Sequence, residues 1–255
     1  MMRSTPLSRD GARNMNDPAL APAPRRLYLP DRGENMPTIV TLIVTFLLMS
    51  TAVAETPSAS EITVNFDTFE TGKIPAGFST ALTGGGGPVS WAIKEDPTAP
   101  SGGKVVVQTS SDTTDYRFPL CVYDELTAKD VTVSVRFKAV SGKVDQAAGL
   151  VARFQDKDNY YIVRANALED NVRLYKVVGG SRKQFAGVKA KVSSGEWHIL
   201  KLEVKGKHFE VFFDDKLLFE ADDDTFKDAG KVGLWTKADS VTYFDDLKIE
   251  SYDPQ

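Results

Sequence analysis

The chain has 255 residues, 42% of them hydrophobic and 26% charged, with a formal net charge of −4. That acidic balance excludes the basic face that nucleic acid requires. A single cysteine, Cys121, excludes an intrachain disulfide.

Residues 1–35 are rich in Pro, Arg and Asn and carry no apolar period; they are expected to form a disordered leader extension. Residues 36–54 are expected to be a signal peptide. The apolar run Thr38–Ser50 ends in Ala52-Val53-Ala54. An apolar core of about a dozen residues closed by A-x-A is a secretory signal, too short to span a bilayer. Cleavage is expected between Ala54 and Glu55, giving a secreted or periplasmic product with no membrane attachment. Arg25-Arg26 before Leu27-Tyr28-Leu29 leaves general and twin-arginine export both open. The first 54 residues hold six arginines and four acidic residues, so residues 55–255 carry a formal charge of −6. Their length suits a single all-β domain with a sizeable core.

Beyond Glu55 no helix is predicted. Strands are predicted at 62–66, 89–94, 104–109, 116–123, 131–140, 149–154, 160–167, 172–178, 183–188, 198–205, 207–213, 216–220, 231–236 and 240–249. Val131–Ala139 alternates apolar and polar residues with period two. So does Leu200–Val204, which reverses at Lys205-Gly206-Lys207 into Phe209–Phe213. Gly179-Gly180 and Asp214-Asp215 mark further tight turns. Many short strands at even spacing predict an all-β, two-sheet antiparallel β-sandwich. Helical turns are expected at 126–130 and 223–228. The segment 71–88, with its run Gly84–Gly87, is expected to be a flexible loop over one end. Cys121, between Leu120 and Val122, reads as a buried thiol.

The order AGLVARF (Ala148–Phe154), DNYYIVRAN (Asp158–Asn166), GEWH (Gly195–His198), GKVGLWT (Gly230–Thr236) and YFDDL (Tyr243–Leu247) resembles the concanavalin-A-like jelly-roll superfamily. It is similar, more narrowly, to bacterial secreted proteins of the 3-keto-disaccharide hydrolase type, relatives of laminarinase-like glucanases. The resemblance covers roughly Glu61–Glu250. It implies a two-sheet jelly roll whose concave sheet faces a carbohydrate. The glucanase string E-x-D-x-x-E is not matched, because no Glu stands three residues beyond Asp222. A retaining glucanase is therefore not expected. The string Glu220–Asp224 reads instead as a solvated acidic turn.

Asn159–Val178 is the stretch richest in candidate site residues. Tyr161, Val163, Ala165 and Ala167 point to one face, and Tyr160, Ile162, Arg164 and Asn166 to the other. On the next strand Arg173 and Tyr175 alternate with Val172 and Leu174. The candidate ligand-binding residues are Arg153, Arg164, Asn166, Arg173 and Tyr175, joined by Trp235 beside Lys237. Guanidinium and amide groups hydrogen-bond in fixed planes, and a tyrosine ring can stack on a pyranose. The structural alternative is a loop-covered face whose arginines pair with Asp156, Asp158, Glu169 and Asp170. Trp91 is a further aromatic candidate, and Trp197 is expected in the core before Leu200 and Leu202. His198 and His208 lack H-x-H or H-E-x-x-H spacing, which argues against a zinc site.

Val241, Tyr243, Asp245, Leu247 and Ile249 share one phase, so Asp245 is expected to face inward. A buried carboxylate needs hydrogen bonds or a cation. A structural Ca²⁺ held by Asp67, Asp245 and carbonyls is one reading. Asp245 capping loop amides, or turned outward by a bulge, is the other. No other cofactor is expected. The leading functional expectation is a secreted glycan-binding jelly-roll domain. The alternative is a glycoside-processing enzyme of the 3-keto-disaccharide hydrolase type, and a third is a structural envelope protein.

Overall fold

The computed structural model describes residues 60–252. The leader and signal peptide expected at residues 1–54 lie outside them. The described chain is a jelly-roll sandwich of two antiparallel sheets. The first runs Lys216–Asp222 (β13), His208–Phe213 (β12), Trp197–Lys205 (β11), Val131–Ser141 (β6), Val241–Ser251 (β15), Lys104–Gln108 (β4) and Trp91–Glu95 (β3), with Ser60–Val64 (β1) also paired to β15. The second runs Ser181–Lys189 (β10), Asn171–Val178 (β9), Asn159–Asn166 (β8), Ala147–Asp156 (β7), Gly230–Trp235 (β14), Arg117–Ala128 (β5) and Phe78–Gly84 (β2).

Alternation builds the core between the sheets. Val133, Val135 and Phe137 of β6 and Leu200, Leu202 and Val204 of β11 meet Leu150, Val163 and Leu174 from the other sheet. Burying each such side chain contributes about 1.5–3 kcal/mol. The outer face of the seven-stranded sheet is also apolar. Phe118, Leu120, Val151, Ile162, Tyr175 and Trp235 form a second packed cluster there. Both faces of that sheet are therefore ordered by packing, and its outer layer is the floor for a group of polar side chains.

The structure departs from the sequence reading in several places, each for a local reason. The segment expected to be a loose loop contains β2, whose Phe78–Gly84 pairs residue for residue with Tyr123–Arg117 of β5. Its glycine run is tied down by Arg117, which is fully buried and donates to the carbonyls of Gly87, Pro88 and Ala238. Gly86 has φ +87°, and a Cβ there would lie 2.7 Å from Arg117 Cδ, so glycine is required where the loop crosses that side chain. Residues 126–128 continue β5 rather than forming a helical turn, and a short 3₁₀ turn occurs at Phe66–Thr68.

Trp197 is half-exposed on the outer face of the eight-stranded sheet, and His198 takes the core phase instead. Thr132, opposite in phase to Val133, is also buried, bonded to Tyr252 Oη at 3.0 Å. Asp223 is not solvated. Its carboxylate accepts from Tyr161 Oη at 2.7 Å and from Lys176 Nζ at 2.5 Å, pinning the loop after β13 to the seven-stranded sheet.

Candidate ligand-binding face

Register brings most of the sequence-predicted residues together. Arg173, Arg164, Gly149, Trp235 and Leu120 lie side by side across β9, β8, β7, β14 and β5. Tyr175 and Ile162 form the neighbouring row on one side, and Asn171 and Asn166 the neighbouring row on the other. Strand neighbours are about 4.8 Å apart, so these side chains share one outer-face patch. Gly149 has a steric role here. A Cβ would meet Ile162 Cδ1 at 2.6 Å and Trp235 Cε3 at 3.2 Å, so its absence lets the indole lie against the sheet. Trp235 is fully buried, stacked on Phe118 at 5.2 Å between centroids. It supports the patch from below.

Arg164 is the centre of the polar network. Its side chain is 2% exposed, and Nη2 donates to Glu169 Oε2 at 2.8 Å and to Asn171 Oδ1 at 2.9 Å. Its Nη1 lies 3.8 Å from Asp145, which is itself 1% exposed. Asn166 orders both carboxylates. Its amide donates to Asp145 Oδ1 at 2.6 Å, while its carbonyl accepts from the amides of Leu168 and Glu169 at 2.9 and 3.0 Å. This turns the segment 167–170 so that Glu169 reaches back over Arg164 and lies 3.7 Å from the half-exposed Arg173. Lys237 reaches Asp145 at 3.0 Å and also pairs with the exposed Asp115. The Arg164 guanidinium sits 5.6 Å over the Tyr175 ring.

Charge and burial act in opposite directions on the two carboxylates. Burial raises Asp145 above the usual carboxylate range, and the charges of Arg164 and Lys237 offset this only in part. Burial also opposes ionisation of Glu169. There the hydrogen bonds from Asn171 and Arg164 and the charges of Arg164 and Arg173 outweigh it, and the carboxyl lies below its ordinary value. Burial would lower Lys237, but Asp115 and Asp145 hold it above its ordinary value. Beside them, burial pushes the Tyr160 hydroxyl up to about 12. It accepts from Trp235 Nε1 at 3.3 Å and lies 2.8 Å from Thr83 Oγ1.

Of the six candidates, Arg164, Asn166, Arg173, Tyr175 and Trp235 share this face, and Arg153 does not. Arg153 has φ +49° at an irregularity in β7, and its guanidinium binds the carbonyls of Lys129, Phe226 and Gly206. It staples three loops. The left-handed backbone that turns it away cannot be read from an alternating sequence pattern. Sequence reasoning also missed Asp145, Asn171 and Arg182. Asp145 stands in the connection before β7, where alternation carries no information. Arg182 falls just ahead of the strand predicted from residue 183.

Asp67 and Asp245 lie on either side of the loop before β4. Asp67 accepts from the Lys104 amide at 3.0 Å. Asp245 is buried and accepts from the Ser101 amide and hydroxyl at 3.1 and 3.3 Å and from the Asp246 amide at 2.8 Å. These partners are donors, where Ca²⁺ needs acceptor oxygens, so the residues present do not fit the ion. A bulge after Asp245, with Asp246 at φ +50°, shifts the phase so that Phe244, Leu247 and Ile249 all enter the core. Among the described residues no group of three or more His, Cys, Asp or Glu side chains is placed to hold a metal. His198 is engaged with Asp214 at 2.9 Å and the Ser193 carbonyl at 3.2 Å.

Similarity to known proteins agrees with this architecture. The chain is 30% identical over 110 residues to levanase from Bacillus subtilis (strain 168), an overlap of 42% of this chain and 16% of the levanase. The chain thus spans about a sixth of that relative. Among solved structures, the carbohydrate binding module CBM66 from Bacillus subtilis superposes with a TM-score of 0.54 at 24% identity, covering 69% of this chain and 96% of the module. Domain 4 of AbnA, a GH43 extracellular arabinanase from Geobacillus stearothermophilus, in complex with arabinotriose, gives 0.50 at 15% identity over 76% and 93% of the two chains. Both share the sandwich. Residues 79–250, from β2 to the end of β15, match a single family across both sheets and the polar face, and by that match the chain belongs to the 3-keto-alpha-glucoside-1,2-lyase-like domain family.

Proposed function

We propose that the outer face of the seven-stranded sheet, at the Arg164–Arg173–Tyr175 end, holds a glycan. One observation carries the reading. Two guanidinium nitrogens on this face, Arg164 Nε and Arg182 Nη1, are buried with no hydrogen-bond partner. A buried donor left unpaired costs about 1–3 kcal/mol; the unpaired oxygen the chain has nearby, Asp145 Oδ2, faces Lys237 at 3.0 Å and Arg164 Nη1 at 3.8 Å and reaches neither of these two nitrogens, so acceptors from a ligand would complete the set. Sugar hydroxyl and ring oxygens are such acceptors. The names of the similar proteins, a levanase, a carbohydrate binding module and a domain holding arabinotriose, support the same class of ligand. With the apolar run and A-x-A of residues 36–54, the reading is of an exported bacterial protein with mature N-terminus Glu55.

The test is calorimetry of the full chain against a panel of oligosaccharides, with Arg173→Ala as the probe. Arg173 is 38% exposed, and its Glu169 contact is loose, so the fold does not depend on it. Its loss is expected to weaken binding by about 1–3 kcal/mol, roughly five- to a hundredfold, with little change in melting temperature. Absence of binding to any glycan refutes the reading.

A second reading is favoured by Asp145 and Glu169. They flank one guanidinium and are displaced in opposite directions, Asp145 upward and Glu169 downward, which is how acid and base roles are separated in one site. Under that reading the face processes 3-keto-glycosides. Turnover of a 3-keto-disaccharide that is lost in Glu169→Gln supports it. Binding without turnover leaves the glycan-holding reading alone.

A further inference from the structure

Six arginines lie among the described residues, and five of their guanidinium groups meet protein oxygens. Arg117 and Arg153 hold backbone carbonyls, Arg136 pairs with Asp246 at 3.2 Å, Arg164 holds Glu169 and Asn171, and Arg173 approaches Glu169. The Arg182 guanidinium has no hydrogen bond or ion pair among the described residues, and its Nη1 is buried. Its charge rests on three rings, 4.5 Å from Phe118, 4.6 Å from Tyr175 and 5.7 Å from Trp235. Ring faces attract a cation, but they leave the N–H donors in the plane of the fork unsatisfied.

The backbone that carries the group is held in place. The Arg182 amide donates to Tyr116 Oη at 2.7 Å, and Tyr116 Oη donates to the Gly180 carbonyl at 2.8 Å. The neighbouring carboxylates are turned to other partners. Asp145 is engaged by Asn166 and Lys237, and Glu169 by Arg164 and Asn171. Arg164, Arg173, Arg182 and Lys237 thus outnumber Asp145 and Glu169 on this face, and the third acid, Asp115, is largely in solvent.

We propose that the glycan held on this face is acidic, and that Arg182 receives its carboxylate: a uronate docks on the free edge of the guanidinium while its ring lies on the face. The proposal rests on the glycan reading above. A planar carboxylate matches the guanidinium fork through two parallel N–H···O bonds and supplies the missing counter-charge. A methyl ester of the same sugar offers the same ring and hydroxyls without the charge, so the ester isolates the contact.

The experiment is calorimetry on the full chain with an oligogalacturonide, its methyl ester and a neutral oligosaccharide panel, repeated on Arg182→Gln and Arg182→Lys, with circular dichroism confirming that each variant is folded. The acid is expected to bind at least about tenfold more tightly than the ester, since a charge-assisted bond is roughly twice as strong as a neutral one. The ratio is expected to fall to near one in Arg182→Gln and to an intermediate value in Arg182→Lys, which keeps charge but loses the fork. A ratio near one in the unmodified chain, or a tenfold ratio that survives both variants, overturns the proposal. If neutral glycans bind and the acid is not preferred, the acidic-ligand proposal falls and the glycan reading stands. If nothing in any arm binds, both fall.

Discussion

Replacing Arg164 by Ala removes a guanidinium that faces both Asp145 and Glu169 and leaves Asp145, 1% exposed, with Lys237 as its remaining cation. Breaking a buried pair by deleting one partner costs about 3–5 kcal/mol, because the surviving charge stays buried. In a domain of this size each kcal/mol moves the melting temperature by roughly 2–4 °C, so the expected loss is about 6–20 °C. The deficit depends on pH with a definite sign. Burial already raises Asp145 above its ordinary value, and Arg164 pulls it back; without Arg164 the rise is larger. A carboxyl whose folded value lies above its unfolded one binds its proton more tightly in the fold, so stability falls as pH rises through that window. Arg164→Ala is therefore weakest at neutral pH and recovers on mild acidification, as Asp145 takes up its proton. Adding Asp145→Asn, which keeps an acceptor for Asn166 without the charge, restores part of the loss at pH 7. Thermal unfolding by circular dichroism at neutral and at mildly acidic pH decides it. A shift within about 2 °C at pH 7, or a deficit that grows on acidification, refutes the reasoning.

The same packing and charge arguments fix other outcomes. Val133→Asp places an unpaired charge between the sheets and is expected to prevent folding. Thr132→Asp, buried beneath Tyr252, is expected to cost stability too but still to fold with a lowered urea midpoint, and a Val133→Asp chain that folds as well as Thr132→Asp would show that the packing has been misassigned. Asp223 is held at about 2: burial opposes ionisation, but the hydrogen bonds from Lys176, Thr225 and Tyr161 outweigh it. Its stabilisation is present above the unfolded value near pH 4 and is lost as pH falls towards 2, so Asp223→Asn should flatten the acid limb of a stability–pH curve. Burial raises the Cys121 thiol, and a thiol reagent that labels it rapidly in the native state would contradict its placement.

Much of this was legible in the chain. The shared face of Arg164, Asn166, Arg173 and Tyr175 follows from clean alternation either side of a short turn, and the structure places them on one face with Arg164 opposite Arg173. Alternation fails where the backbone leaves the regular strand. At Arg153 and Asp246 a left-handed residue redirects the side chains after it, which a period-two pattern cannot encode. Segment 78–84 was hidden by the glycines after it, because the Arg117 contacts that order them are set by tertiary packing. The alternative in which Glu169 pairs with the arginines proved correct in part, since Glu169 does hold Arg164, yet Asp145, its counterpart, comes from a connection distant in sequence. Burial of Arg164 also makes it a poor binding probe, because its removal disturbs the fold. Arg173, 38% exposed, is the residue that separates binding from stability.

A glycan resting on the outer face of the seven-stranded sheet would disturb the amides of that face and spare those of the other sheet. The most direct measurement is a titration of the isotope-labelled chain with a binding oligosaccharide, monitored by amide chemical shifts. Perturbations are expected at Arg164, Glu169, Arg173, Tyr175 and Arg182, with those of Trp197 and Tyr243 on the opposite sheet unmoved. Shifts centred on Trp197, Lys138 and Tyr243 instead would place the ligand on the other face and contradict the proposed site.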